Sequence, residues 1–242
     1  MMERITEESP RLTARIAGGL YLTGGLAYTF ADVSVRGRLI VYGDAAATAH
    51  NILAHETLFR LGFAAELLES VCFIAVTLLF YRLFKPVNGG VSLLAAFFSL
   101  VGSTVATLSC LFSLAPLILL GGAQYLSVFR VEQLQALALM FLTLRAQVYG
   151  IGMVFFGCYN LLIGYLIFRS TFLPRILGVF MGIAGFTYQA FLSPPLANYL
   201  FPYVLAPAGA LGELSLVLWL LVMGVNAQQW KEQVSATRFV TD

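Results

Sequence analysis

Three glutamates, Glu66, Glu69 and Glu213, stand inside long apolar stretches of the chain. A carboxyl group at the centre of a bilayer costs about 2.5–3.5 kcal/mol on insertion scales, and the cost falls only when the group is protonated, paired or wetted. Along 55–69, His55, Phe59, Gly62, Glu66 and Glu69 recur at spacings of four, three, four and three, which places them on one stripe of a helix. Arg60 lies off that stripe and faces Glu56, one turn earlier. Glu66 is expected about two turns inside the membrane, with Glu69 and Glu213 near its middle. Asn160 is expected at similar depth, and Gln189 nearer the outer end. Asp32, Arg36, Arg60, Glu66, Arg145, Gln147 and Gln189 would then gather at the outer end, above Glu69, Glu213 and Asn160. That pattern describes a cavity open to the outside that tapers to acids, with Glu66, Glu69, Glu213, Asn160 and Arg60 as its ligand-binding residues. The competing reading of each acid is a neutral carboxyl that hydrogen-bonds to hydroxyls or carbonyls and fixes helix register.

Other chemistries lack their residues. His50 and His55, the two histidines of the chain, are five residues apart in "HNILAHE". On a helix that separation turns them about 140° from one another, unlike the four-residue gap that lets two histidines share a zinc ion. No metal site is therefore expected, and facing histidines for haem are missing. There is no G-x-S-x-G elbow, and no nucleophile or electrophile stands beside the glutamates, so no catalytic residue and no cofactor are assigned. Cys72, Cys110 and Cys158 lie in apolar runs with no C-x-x-C spacing, as small buried hydrophobes do.

The elements that must position these residues follow from composition. The chain of 242 residues is 60% hydrophobic and 11% charged, against about 25% charged in soluble domains. A net charge of +2, with no long basic run, gives no footprint for nucleic acid. Six segments have the ~20 apolar residues that span a bilayer: 14–34, 58–84, 91–120, 148–168, 174–194 and 204–227. Their continuous apolarity predicts helices rather than alternating barrel strands. The expected fold is all-α: a single membrane domain over 1–242, built as a polytopic bundle of six transmembrane helices. A short outer helix capped by Asp44 precedes span two. An amphipathic segment over 130–145, with Leu134, Leu137, Ala138, Phe141 and Leu142 on one face, precedes span four, either flat on the membrane or folded over the bundle as a lid. Span three tilts or ends early near Pro116, and 194–203, "PPLANYLFPY", reads as a short proline-rich connection. The apolar run over 16–31 is interrupted by glycines and reads as a retained first span rather than a cleaved signal.

Orientation follows from lysine and arginine in short loops. Arg4, Arg11, Arg15, Arg82, Lys85, Arg169, Arg175, Lys231 and Arg238 fall on one side, and Arg36, Arg38, Arg60, Arg130 and Arg145 on the other. The excess places both termini in the cytoplasm. Small residues at four-residue spacing, Ser99, Ser103 and Thr107, and Gly178 with Gly182, allow helices of the same chain to approach closely.

Three segments carry a resemblance: "RIAGGLYLTGGLAYTFADVSVRGRLIVYGDAAATAHNILAHETLFRLGFAAELLE", "LPRILGVFMGIAG" and "LAPAGALGELSLVLWLLVMGVN". Together they resemble the bacterial membrane-protein family catalogued as domain of unknown function 4386, across roughly residues 14–228, most specifically in "GDAAATA", "LFRLG" with Glu66, and "GELSLVLWLL" with Glu213. The resemblance implies a multi-pass protein of the bacterial inner membrane and no particular activity. The leading functional reading is a non-enzymatic module that binds, senses or translocates a small ligand, a cation or a proton. One alternative is an intramembrane enzyme acting on a lipid or isoprenoid substrate with the acids as proton donors. Another is an accessory or structural subunit of a membrane complex. The expected partners are the lipid bilayer and a small ligand or a second membrane protein.

Overall fold

The computed structural model describes residues 9–241, with side chains described through Ala236. Arg4, and the Arg238 side chain, both counted toward orientation above, lie outside the described residues. Every regular element among the described residues is helical. Helix α1 (Pro10–Thr29) continues through a π-helical turn, Phe30–Arg36, into the short α2 (Gly37–Leu39). Next come α3 (Ala45–Ala54), α4 (Glu56–Phe84), α5 (Gly89–Leu120), α6 (Val131–Arg169) and α7 (Arg175–Tyr188). The chain ends with α8 (Pro194–Leu200), a second π-helical turn at Phe201–Leu205, α9 (Ala206–Val222) and α10 (Ala227–Thr241).

Five helical stretches are long and apolar enough to cross a membrane: Glu56–Phe84, Gly89–Leu120, Val131–Arg169, Arg175–Leu192 and Pro194–Val222. The expected span at 14–34 falls on α1 and its π-helical continuation and is not among them. Arg11, Arg15, two glycine pairs and three threonines dilute the apolarity of that helix.

Three expectations on element boundaries are corrected. The segment 130–145 is no separate helix but the first part of the 39-residue α6. Its apolar face is nevertheless the inward one, with Ala138 and Leu142 buried. The connection 194–203 is helical. Its prolines fall in first turns, where a missing N–H costs no helical bond and the fixed φ is already helical. Of the two readings of span three, an early end near Pro116 is set aside, since α5 runs on to Leu120, the expected limit of the span. The last span begins at Pro194 and stops at Val222 rather than 227. The stop is made by Gly224, at a φ of +69° that only glycine adopts without strain, and its N–H closes back on the Trp219 carbonyl.

The chain falls into two compact units. One contains the residues up to Leu22, Cys72–Ser103 and the chain from Ile151 onward; the other contains Thr23–Val71 and Thr104–Gly150. In the first unit, glycine sets the helix spacing. A Cβ on Gly164 would lie 2.7 Å from the Gly178 carbonyl oxygen, and one on Gly185 would lie 2.6 Å from the Leu161 amide and 2.7 Å from the Gly157 carbonyl oxygen. Helices α6 and α7 therefore touch backbone to backbone, the small-residue packing of apolar media. Gly212 brings α9 equally close, since a Cβ there would meet the Phe180 carbonyl oxygen of α7 at 2.9 Å. In the second unit, Val35, Leu39, Ile40, Ile52, Phe59 and Leu142 form a buried core. Gly62 lets α4 close onto Val35 of the π-helical turn, where a Cβ would come within 2.9 Å. The Asp44 side chain accepts the Ala47 N–H at 2.8 Å and starts α3, as its cap position predicts.

Candidate functional site

The second unit gathers its charged residues around Glu66. Gly62, one turn earlier on the same face of α4, brings the helix against the π-helical turn that carries Asp32 and Arg36. A π-helical turn inside an α-helix frequently marks a functional position. Arg36 Nη1 donates to Glu66 Oε1, and Arg145 Nη2, from α6, donates to the same oxygen at 2.8 Å. Arg36 also donates to Asp32 Oδ1 from Nη2 at 2.8 Å and from Nε at 3.2 Å. Glu66 and Arg145 are each 5% exposed and Arg36 is 9% exposed, whereas the Asp32 side chain is 43% exposed. Glu66 Oε2 and Arg145 Nε are buried with no hydrogen-bond partner among the described residues.

Aromatic rings back the two guanidinium groups. Tyr28 and Tyr149 stack with centroids 5.5 Å apart and planes 13° from parallel. Arg36 lies 5.5 Å over the Tyr28 ring and Arg145 5.6 Å over the Tyr149 ring. Cation–π attraction of this kind strengthens where water is excluded, so both arginines are held by aromatic faces as well as by Glu66.

The first unit holds the other carboxyl centre. The backbone contact of α6 with α7, and of α7 with α9, brings Asn160, Tyr188 and Glu213 together. Asn160 Nδ2 donates to Glu213 Oε1 at 3.1 Å, and the Tyr188 hydroxyl donates to the same oxygen at 3.0 Å. Tyr21 and Tyr159, both buried, lie within electrostatic reach of Glu213, and the Tyr159 hydroxyl has no hydrogen-bond partner among the described residues. Gln189 lies nearby, with its Nε2 donating to the Val154 carbonyl of α6 at 3.3 Å.

The expected site residues therefore fall into separate groups. Glu66, Glu69 and Arg60 belong to the second unit, and Asn160 and Glu213 to the first. Arg60 is an exposed partner of Glu56, 2.8 Å away, as its position off the acidic stripe predicts. Asp32, Arg36, Glu66 and Arg145 do gather, as the polar set at one end suggested. Gln147 is exposed, and Gln189 belongs to the other unit. Sequence reasoning did not place Arg36 and Arg145 as ligands of Glu66 or Tyr188 as a ligand of Glu213. The i,i+4 pair Asp32–Arg36 was a usable signal. Tyr188 carried none, because tyrosines at helix ends are expected at membrane interfaces anyway. No group of three or more His, Cys, Asp or Glu side chains that could hold a metal ion occurs among the described residues.

Helices of this length and apolarity, with ionisable groups buried inside them, define an all-helical, multi-pass membrane protein. The chain belongs to the family described as Domain of unknown function (DUF4386), whose model matches residues 16–224. Comparison with curated proteins and with solved structures finds no match.

Proposed function

We propose that this protein is a non-enzymatic membrane module that binds or senses a small ligand, a proton or a cation at carboxyl groups held inside its helices. Glu66 and Glu213 are the two centres, with Glu69 and Asn160 in support. The observation that carries the reading is Glu66: a 5%-exposed carboxyl in an apolar helix, joined to Arg36 and Arg145 from two other helical segments. Buried ionisable groups are costly in a membrane and default to function. Arg60, exposed and satisfied by Glu56, stays outside the site.

In this proposal α1, prolonged by Phe30–Arg36, is a sixth span. Leu12, Ile16, Leu26, Phe30 and Val33 on it are exposed apolar side chains suited to lipid. The membrane is the bacterial inner membrane, with both termini in the cytoplasm. Arg36 and Arg145 are buried against Glu66, so they no longer count as exposed charges. That leaves Arg38, Arg60 and Arg130 on the outer side, which strengthens the positive-inside asymmetry.

The test is the thermal midpoint of the purified protein in nanodiscs between pH 5 and 8, for wild type, Glu66→Gln and Glu213→Gln. A binding centre that takes up protons gives a pH-dependent midpoint in the wild type, and each substitution removes part of that dependence. Three superimposable profiles would reduce both acids to register-fixing groups and overturn the proposal.

A further inference from the structure

We propose that one end of the first unit, where α1 starts and α4, α6 and α9 stop, is a docking surface for anionic phospholipid headgroups, the phosphodiesters of lipids such as phosphatidylglycerol. The inference goes beyond the two carboxyl centres and does not depend on them.

Hydrogen bonds and ring contacts tie this end together. The Arg15 guanidinium of α1 donates to the Val222 carbonyl, at the last residue of α9, at 3.3 Å. The Asn226 N–H donates to the Phe172 carbonyl at 3.2 Å, and the Trp230 indole N–H of α10 donates to the Leu83 carbonyl of α4 at 2.9 Å. Phe84 stacks on Phe172, and the Gln233 side chain of α10 accepts the Thr171 N–H at 3.2 Å. The start of α1, the ends of α4, α6 and α9, and the first turns of α10 therefore lie together inside one unit.

That end is cationic. Arg11, Arg15, Lys85, Arg169, Arg175 and Lys231 are exposed on it, and none is ion-paired with a carboxylate of the described residues. Glu232 is the one acid that the described residues of these segments bring. By sequence, residues 1–8 and 237–242 add four acids against two arginines, which leaves the sign of the total positive. In the other unit, by contrast, Arg36, Arg60 and Arg145 each hold a carboxylate.

Helix dipoles account for part of this charge only. Lys85 and Arg169 stand at helix C-termini, where a cation is favoured. Arg11 and Arg175 stand in the first turns of α1 and α7, where a cation opposes the dipole, and neither first turn carries an acid. An anion from outside the chain supplies the missing countercharge.

The neighbours of these cations select a lipid. Leu12 and Ile16 beside Arg11 and Arg15, Phe168 beside Arg169, and Ile176 beside Arg175 are all exposed apolar side chains. The Arg175 guanidinium lies 5.6 Å over the Phe168 ring, so charge and apolar surface meet in one contact. A soluble anion uses the charge alone. A phospholipid uses both, with its phosphodiester at the cations and its acyl chains along the apolar side chains.

The test reconstitutes the full chain in bilayers of equal phosphatidylcholine and phosphatidylglycerol with matched acyl chains. The protein is then extracted in mild detergent, and the phospholipid it retains is measured by mass spectrometry. The wild type is expected to retain phosphatidylglycerol in preference. That preference should fall as KCl rises from about 0.05 to about 0.5 M, since salt screens exposed charge. Arg169→Gln, Arg175→Gln and Lys231→Gln, combined in one variant, should lower it by up to about fivefold per charge removed, the worth of one cation at an anionic membrane surface. Arg38→Gln with Arg130→Gln, exposed cations of the other unit, should leave it unchanged. Should the triple variant not fold, the single Arg175→Gln carries the comparison. Equal retention of the two lipids by the wild type, a preference indifferent to salt, or an equal loss in the Arg38 and Arg130 variant overturns the proposal. So does a thermal midpoint in phosphatidylcholine nanodiscs that inorganic phosphate raises as much as phosphatidylglycerol does, which would assign the surface to soluble anions.

Discussion

Replacing Glu66 with leucine removes the one oxygen on which both guanidinium groups end. The two arginines do not suffer equally. Arg36 keeps its two hydrogen bonds to Asp32, at 2.8 and 3.2 Å, whereas Arg145 has no second hydrogen-bond partner among the described residues. The loss therefore concentrates in one guanidinium group that is 5% exposed. Breaking a buried ion pair by deleting one partner costs about 3–5 kcal/mol. Arg145→Met is milder, because Glu66 keeps Arg36; its cost is that of a weakened buried hydrogen-bond set, about 1–3 kcal/mol. In the double variant, apolar volume replaces the pair, a change that is often neutral or stabilising. Its cost should thus lie between that of Arg145→Met and that of Glu66→Leu, with a favourable coupling of about 2–3 kcal/mol between neighbouring sites. Reversible unfolding in mixed micelles, followed by tryptophan fluorescence for all four proteins, measures each value. Additivity within about 0.5 kcal/mol, the behaviour of independent sites, would show that the Arg145–Glu66 contact is not what holds Arg145, and would refute the reasoning.

The same assay reaches the rest of the molecule. Glu213→Gln keeps an oxygen for the neutral donors Asn160 and Tyr188, so its cost should stay within about 1 kcal/mol and below that of Glu66→Gln. A Glu213→Gln cost as large as that of Glu66→Gln would show that Glu213 also serves a cation. Gly185→Val would drive a Cβ to 2.6–2.7 Å from backbone atoms of α6, a clash worth about 1–3 kcal/mol or more; an unchanged midpoint would mean that α6 and α7 do not touch there. Arg60→Ala should change stability by less than about 1 kcal/mol, since both members of its i,i+4 pair are exposed. Asp44→Ala should cost about 1 kcal/mol through the lost cap on α3, and restoration by Asn or Ser would attribute that loss to the cap.

Much of this architecture was legible because apolar runs and glycine spacing report local physics. The apolar runs 58–84 and 91–120 lie within two residues of the limits of α4 and α5, and Asp44 caps α3 as its residue type predicts. The errors lie where one pattern serves two structures. An amphipathic stretch looks the same whether it lies on a bilayer or continues a span, so 130–145 could not be joined to α6 in advance. Prolines in "PPLANYLFPY" signal a loop unless each falls in a first helical turn, and here they do. The acids were found by composition, yet their partners were not. Arg36 reaches Glu66 from a π-helical turn that no hydrophobic period announces, and Arg145 lies 79 residues away in sequence. Tyr188 reaches Glu213 because Gly185 and Gly212 close the helices, a consequence of packing between α6, α7 and α9 rather than of any motif.

The two carboxyl centres, each within its own unit, differ in the donors that surround the acid, and that difference sets how each acid is held. Around Glu213 the hydrogen-bond donors are an amide and a phenol, both neutral. A group of that kind orients a carboxyl without fixing its charge, and among the described residues no positive side chain is in hydrogen-bond contact with it. Around Glu66 the donors are guanidinium groups with permanent charge. There the acid is held between two guanidinium groups that are themselves desolvated and backed by tyrosine faces. Desolvation strengthens the attraction between opposite charges relative to water, so Glu66 is held in its unit by charge, and Glu213 by neutral hydrogen bonds.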